Sequence, residues 1–277
     1  MLGYHTVAST LLAVVAIGAA TAAFAAEVDS TLRADLQRIA QRKIYFGHQS
    51  VGRNLLDGIG QLSAMAGVPV RLVETPTAGG IGPGTFGHVA VDKNGDPFQK
   101  LKSFDQAMGQ KSTGLDIALV KFCYVDFTPN TDAKALFARY RATIDGLRAR
   151  NPGTTFVHVT APLTIVQDGF KDSVKRLLGR APYGSIENIR RDEYNTLLRQ
   201  TYMGHEPLFD LARVESTAPD GTSVMGEWKG IVAPAMAPTY TDDGGHLNAV
   251  GKLRAARELI SVLAAIPDRP SVSRPAR

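Results

Sequence analysis

Between residues 30 and 263 the sequence switches repeatedly from short apolar runs to longer stretches with a helical apolar repeat, and that alternation leaves few folds open. Leu32, Leu36 and Ile39 recur at helical spacing behind Asp29 and Ser30 as candidate caps, and Ile44-Tyr45-Phe46 follows as a short strand. Val51, Leu55, Ile59 and Leu62 mark a second helix closed by Gly67, and residues 68–73 read as the next strand. Residues 115–124 and 154–160 are further strands. Between them Leu136, Tyr140, Ile144 and Leu147 form one helix face, capped by Thr131 and stopped by Asn151-Pro152-Gly153. A helix from Ser185 to about Tyr202, a last short strand at 208–211, and a final helix with Leu253, Ala256, Ile260 and Leu263 on one face complete the series. Residues 75–96, with Gly79, Gly80, Gly82 and Gly84, read as a Gly-rich loop, and residues 214–245 as loop. Strands apolar on both faces and separated by helices predict a three-layer α/β/α sandwich with a parallel, flavodoxin-like central sheet. In such sheets a site forms beyond the carboxyl ends of the strands.

Composition removes several function classes. The 44% hydrophobic and 21% charged content is that of a globular chain, so disorder throughout is excluded. The single Cys123 can form neither an internal disulfide nor a cysteine zinc cluster, and the six histidines contain no His-x-x-x-His pair, so no metal is expected. The Gly-rich loop is followed by no Gly-Lys-Ser/Thr and opens no helix with Gly-x-Gly-x-x-Gly, so no nucleotide cofactor is expected either. The net charge of +5 is spread without a basic run, which argues against nucleic acid as a partner.

The first 25 residues carry no Lys, Arg, Asp or Glu, and the apolar stretch 11–23 leads into Ala23-Phe24-Ala25, a small-x-small cleavage pattern. Residues 1–25 are therefore expected to be a signal peptide, residues 26–266 a single domain, and the proline-bearing residues 267–277 a disordered tail. The expectation is a secreted or periplasmic protein without stable membrane insertion after cleavage. Because the n-region lacks Lys or Arg, an uncleaved N-terminal anchor stands as the alternative.

Two segments carry chemistry. In Asp243-Gly244-Gly245-His246 a tight turn lets the carboxylate reach one imidazole nitrogen while the other points outward, as a general base requires; helix capping by Asp242 or Asp243 is the competing reading. In Phe46-Gly47-His48-Gln49-Ser50-Val51-Gly52 a serine sits where a strand runs into a helix, near free N–H groups and the positive end of the helix dipole. There too a plain cap is the alternative. No Gly-x-Ser-x-Gly elbow occurs, Ser223 lies in a long loop, and Cys123 reads as a small core residue, with a nucleophilic role as its alternative.

Together these segments resemble the SGNH, or GDSL-like, hydrolase superfamily, in order from Ile44 to Leu263, the most specific part being Asp-x-x-His followed by Leu247-Asn248 and Gly251. The resemblance implies an esterase or deacylase with Ser50 as nucleophile, His246 as base and Asp243 as its orienter. It also implies oxyanion donors from a glycine after the second strand and an asparagine after the third. Gly80 is the candidate for the first. Val125 occupies the second position, so Tyr124 or Lys121 is expected to supply the donor, with His48 a further residue facing the site. The first block carries an extra residue and no aspartate before the serine, a departure from the family pattern. The implied substrate is a small-molecule or glycan ester. An O-acyltransferase with the same residues and a non-catalytic glycan- or envelope-binding domain are the alternatives. Trp228, Tyr240 and Phe86 are candidates for stacking on a sugar.

Overall fold

The computed structural model describes residues 29–268; the expected signal peptide and the tail beyond residue 268 lie outside the described residues. Helix α1 (Ser30–Ile39) is capped by the Asp29 side chain, which accepts from Leu32 N–H at 2.7 Å. Strand β1 (Lys43–His48) runs into α2 (Val51–Ala66), which Gly67 ends in a left-handed conformation. Strands β2 (Arg71–Glu74) and β3 (Thr85–Ala90), α3 (Pro97–Met108), β4 (Ile117–Val120) and a single turn at Tyr124–Asp126 follow. Helix α4 (Ala133–Arg150), β5 (Thr155–Val159), α5 (Phe170–Leu177), α6 (Ser185–Tyr202), β6 (Leu208–Phe209) and α7 (Leu211–Ser216) lead to an antiparallel hairpin of β7 (Met225–Trp228) and β8 (Ile231–Pro234). Helix α8 (Ala249–Ala264) closes the series.

The predicted sandwich is present: six strands in the order β2-β3-β1-β4-β5-β6, all parallel, with helices on both faces. The period of two in a strand decides which layer each side chain enters. Ile44, Phe46, Ile117 and Leu119 point into a core shared with α1, α2 and α8; Tyr45, Ala118 and Val120 point into the opposite core, shared with α3, α4 and α6. No helix among the described residues is long and apolar enough to cross a membrane.

Three expectations need correcting. The region 75–96 is not all loop: β3 lies inside it, inserted between β2 and β1. Its Gly87 and His88 hid it, because the glycine has no side chain to mark the apolar pattern and the histidine is a polar residue buried against His48. The cap of α4 is Asp132, which accepts from Ala135 N–H at 2.9 Å, while the Thr131 hydroxyl accepts from Thr128 N–H instead. Residues 214–245 contain the end of α7 and the β7–β8 hairpin.

Candidate active site

The carboxyl ends of β1 and β4 and the loop before α8 converge. Ser50 occupies the N-cap position of α2, yet its hydroxyl makes no capping bond; its Oγ lies 3.3 Å from Cys123 Sγ. Among the described residues nothing accepts a hydrogen bond from the Ser50 N–H, which leaves one backbone donor at a helix N-terminus open toward an anion. Cys123 is fully buried, as a small core residue would be, but its sulfur is what the serine touches.

Asp243 does not cap α8 either. That cap is Asn248, whose side chain accepts from Val250 and Gly251 N–H, both at 3.1 Å. Asp243 is instead held within its own turn: Oδ1 accepts from Gly245 N–H at 2.9 Å and His246 N–H at 2.8 Å, while Oδ2 lies 2.7 Å from His246 Nδ1. Burial works against the charge of this carboxylate, but those backbone donors and the imidazole outweigh it and hold the carboxyl well below its ordinary range. A proton on Nδ1 shared with this carboxylate leaves the lone pair on Nε2, the tautomer a base needs. Both glycines of the turn are required. Gly244 has φ of +89°, and a Cβ on Gly245 would stand 2.8 Å from the Tyr124 ring.

That close approach puts the Tyr124 hydroxyl 3.3 Å from His246 Nε2, with the rings edge to face. Burial, and after it the charge of Asp243, pushes the Tyr124 phenol up to about 12, so it stays a neutral donor at any working pH. Asn54, one turn along α2 from Ser50, accepts from Leu247 N–H at 3.1 Å and ties the histidine loop to the serine helix. Sequence reading did not single out Asn54, because only the fold brings position 54 beside position 247.

The remaining expected residues fall elsewhere. Gly80 is a correction: the strand beside β1 is β3, and the loop leaving its carboxyl end begins at Val91. Gly80 lies in the connection that returns from β2 to the amino end of β3, exposed and with open space around it. Lys121 is buried beneath the site, its Nζ donating to Phe122 O at 2.8 Å and lying 4.0 Å from Cys123 Sγ. It therefore supports Cys123 from below. His48 is buried under the first turn of α2, with Nε2 3.2 Å from His88 Nδ1 and its own Nδ1 unpartnered. Burial, then the charge of Lys121, pushes the His48 imidazole down to about 3, so it is neutral.

The buried Arg191 and Glu215 hold this edge. Arg191 donates to Tyr124 O from both Nε and Nη2, and to Thr164 Oγ1. Glu215 accepts from Leu163 N–H at 2.6 Å, and its other oxygen has no partner. Burial pushes Glu215 up to about 8, against the Leu163 hydrogen bond and the charges of Lys121 and Arg191. The native protein thus keeps a proton here that an unfolded chain loses near 4.5, and stability should fall as pH rises from there to about 8. Glu215→Gln keeps an acceptor for Leu163 and removes the titration. Its melting temperature should match that of the wild type near pH 4.5 and exceed it at pH 8 by roughly 5–10 °C, for a penalty on the order of 3–4 kcal/mol. Calorimetry at the two pH values checks this.

No protein-family model matches the chain, and no curated protein matches it. Solved structures do. A GDSL-like lipase from Bacteroides thetaiotaomicron is 10% identical, with 80% of this chain and 88% of that one covered and a TM-score of 0.48. The periplasmic domain of a Salmonella ser. Paratyphi A lipopolysaccharide acetyltransferase is 13% identical over 79% of this chain and 83% of that one, TM-score 0.43. A salicylyl-acyltransferase from a tetracycline biosynthetic pathway is 14% identical over 83% of this chain and 56% of that one, TM-score 0.43.

Proposed function

We propose that the chain is a hydrolase or acyltransferase of the SGNH type, in which Ser50 attacks an ester carbonyl, His246 Nε2 takes the serine proton and Asp243 orients the imidazole. The observation that carries this reading is the Asp243–His246 pair at 2.7 Å, built in a four-residue turn with its carboxylate saturated by donors. Oδ1 closes the turn through the backbone, and the second oxygen is left to orient the imidazole. Attack requires the Ser50 hydroxyl to turn from Cys123 Sγ toward His246, and the Tyr124 hydroxyl to yield Nε2. The oxyanion meets the free Ser50 N–H. The intermediate collapses, the ester C–O bond breaks and the alcohol leaves with the proton from His246 Nε2; water or a second hydroxyl, giving up its proton to the same nitrogen, then takes the acyl group, and that proton returns to the restored serine. The substrate is an acyl ester, an acylated carbohydrate fitting an exported chain whose mature form begins at Ala26; N-terminal sequencing of exported protein checks that start.

A fluorophosphonate probe tests the mechanism: it should label Ser50 in the intact protein, and labelling should vanish in Ser50→Ala. An acceptor-dependent product separates transfer from hydrolysis. A non-catalytic binding domain is the second reading, favoured by the Ser50 contact with Cys123 in place of His246; it takes the lead if the probe fails to label and no short-chain ester or acetylated sugar is turned over. Once it has yielded Nε2, the Tyr124 hydroxyl is the side-chain donor expected to meet the oxyanion, so Tyr124→Phe should lower turnover at least about tenfold while leaving thermal stability nearly unchanged, as steady-state kinetics on the purified variant would show.

A further inference from the structure

The segment between β5 and α6 leaves the body of the protein and returns. Its base is closed by Gln167 N–H donating to Tyr183 O at 3.1 Å. Just before it, Ile165 N–H donates to Gly244 O at 3.0 Å, so the excursion springs from the loop that carries Asp243 and His246. At its centre α5 is mounted inside out. Phe170, Val174, Leu177 and Leu178 fall within an arc of about 100° around the helix axis, and that arc faces away from the protein: Phe170 is 86% exposed, Leu177 87% and Leu178 67%. The polar side faces inward. Asp172 is 7% exposed, accepts from Gly169 N–H at 3.2 Å and pairs with Lys175 at 2.8 Å, and Arg176 donates to Glu227 O of β7 at 3.2 Å. A helix held to a globular core does the reverse, because withdrawal of apolar area from water is what holds it there. Beside the apolar arc stand Lys171 and Arg180, both exposed, against the exposed Asp168, whereas Lys175 and Arg176 are engaged with Asp172 and β7.

We propose that α5 is a docking helix that inserts Phe170, Val174, Leu177 and Leu178 into the interface of a bilayer containing anionic phospholipid, with Lys171 and Arg180 over the head groups. A second copy of this chain fits the patch less well, because a two-fold contact would set these two cations against their copies. The inference stands apart from the esterase reading, and its test reads binding and not turnover. It uses the full chain with the single Trp228 replaced by Phe and the Phe170→Trp reporter, or Leu178→Trp if the first variant folds poorly. On adding vesicles of mixed phosphatidylglycerol and phosphatidylcholine, the reporter emission should shift to the blue and be quenched by bromine-labelled lipid, and should not do so with phosphatidylcholine alone. Leu177→Asp, read with the Phe170→Trp reporter, should weaken that response at least about tenfold, and Lys171→Gln or Arg180→Gln about fivefold each. An emission that stays unchanged in anionic vesicles overturns the proposal, including the case in which residues 11–23 alone attach the chain. So does an emission already blue before vesicles are added, which would mean that a second copy or another part of the chain covers α5.

Discussion

Ser50→Ala and His246→Ala are each expected to lower ester turnover by on the order of a million-fold while leaving the protein folded, because the members of a serine triad act as one unit and losing either ends the same pathway. The structure explains why the fold should survive. Ser50 Oγ touches only Cys123 Sγ and caps nothing, so removing it leaves α2 with the start it already has. The His246 side chain is 41% exposed, and its pair with the 57% exposed Asp243 is of the surface kind that contributes little to stability. Asp243→Asn should be less damaging, a loss of about ten-thousand-fold, since an asparagine oxygen can still accept from Gly245 and His246 N–H while its amide favours the wrong imidazole tautomer. Steady-state kinetics with melting curves on the purified variants check this. Turnover like that of the wild type in Ser50→Ala would remove the mechanism outright.

The second large effect is expected at Lys100. Its ammonium and the Asp126 carboxylate are both fully buried and 2.7 Å apart, with Lys100 Nζ also 2.8 Å from Asn94 Oδ1. Asp126 further accepts from Cys123 N–H at 2.6 Å and Gly95 N–H at 2.8 Å, so one carboxylate fixes the chain on which Cys123, and through it Ser50, depends. Lys100→Met leaves that charge buried and unpaired, which typically costs about 3–5 kcal/mol, or roughly 10 °C in a domain of this size. Urea denaturation should show the loss in the midpoint. A loss below about 1 kcal/mol at neutral pH would show that Asp126 is held adequately by its backbone donors alone.

Much of this site was readable before any coordinates, but only as pairs of open alternatives. Asp243 and His246 are three residues apart with two glycines between, and the bond they form is local, so spacing alone could anticipate it. Whether Asp243 capped the next helix could not be read that way. Asn248 takes the cap, and the choice turns on where α8 begins against the body of the protein. The same holds for Ser50, whose position at a helix start is local but whose partner, Cys123, comes from the segment after β4, 73 residues away. Gly80 failed for a related reason. Placing a glycine beside the serine assumed which strand neighbours β1, and hydrogen bonding across the sheet gave that place to β3.

The sequence by itself determined the helices α1, α2, α6 and α8, the parallel layering, and the chemistry available in two short motifs, because periodicity, caps and residue types are properties of neighbours along the chain. Tertiary structure decided the strand order, the partners of Ser50, the tie between Asn54 and Leu247, and the buried polar side chains Lys100, Asp126, Glu215 and Arg191 that brace the edge. It also decided which way α5 faces. The spacing of Phe170, Val174, Leu177 and Leu178 marks an apolar stripe on a helix, but a stripe has no inside or outside until the rest of the chain has folded against one of its sides.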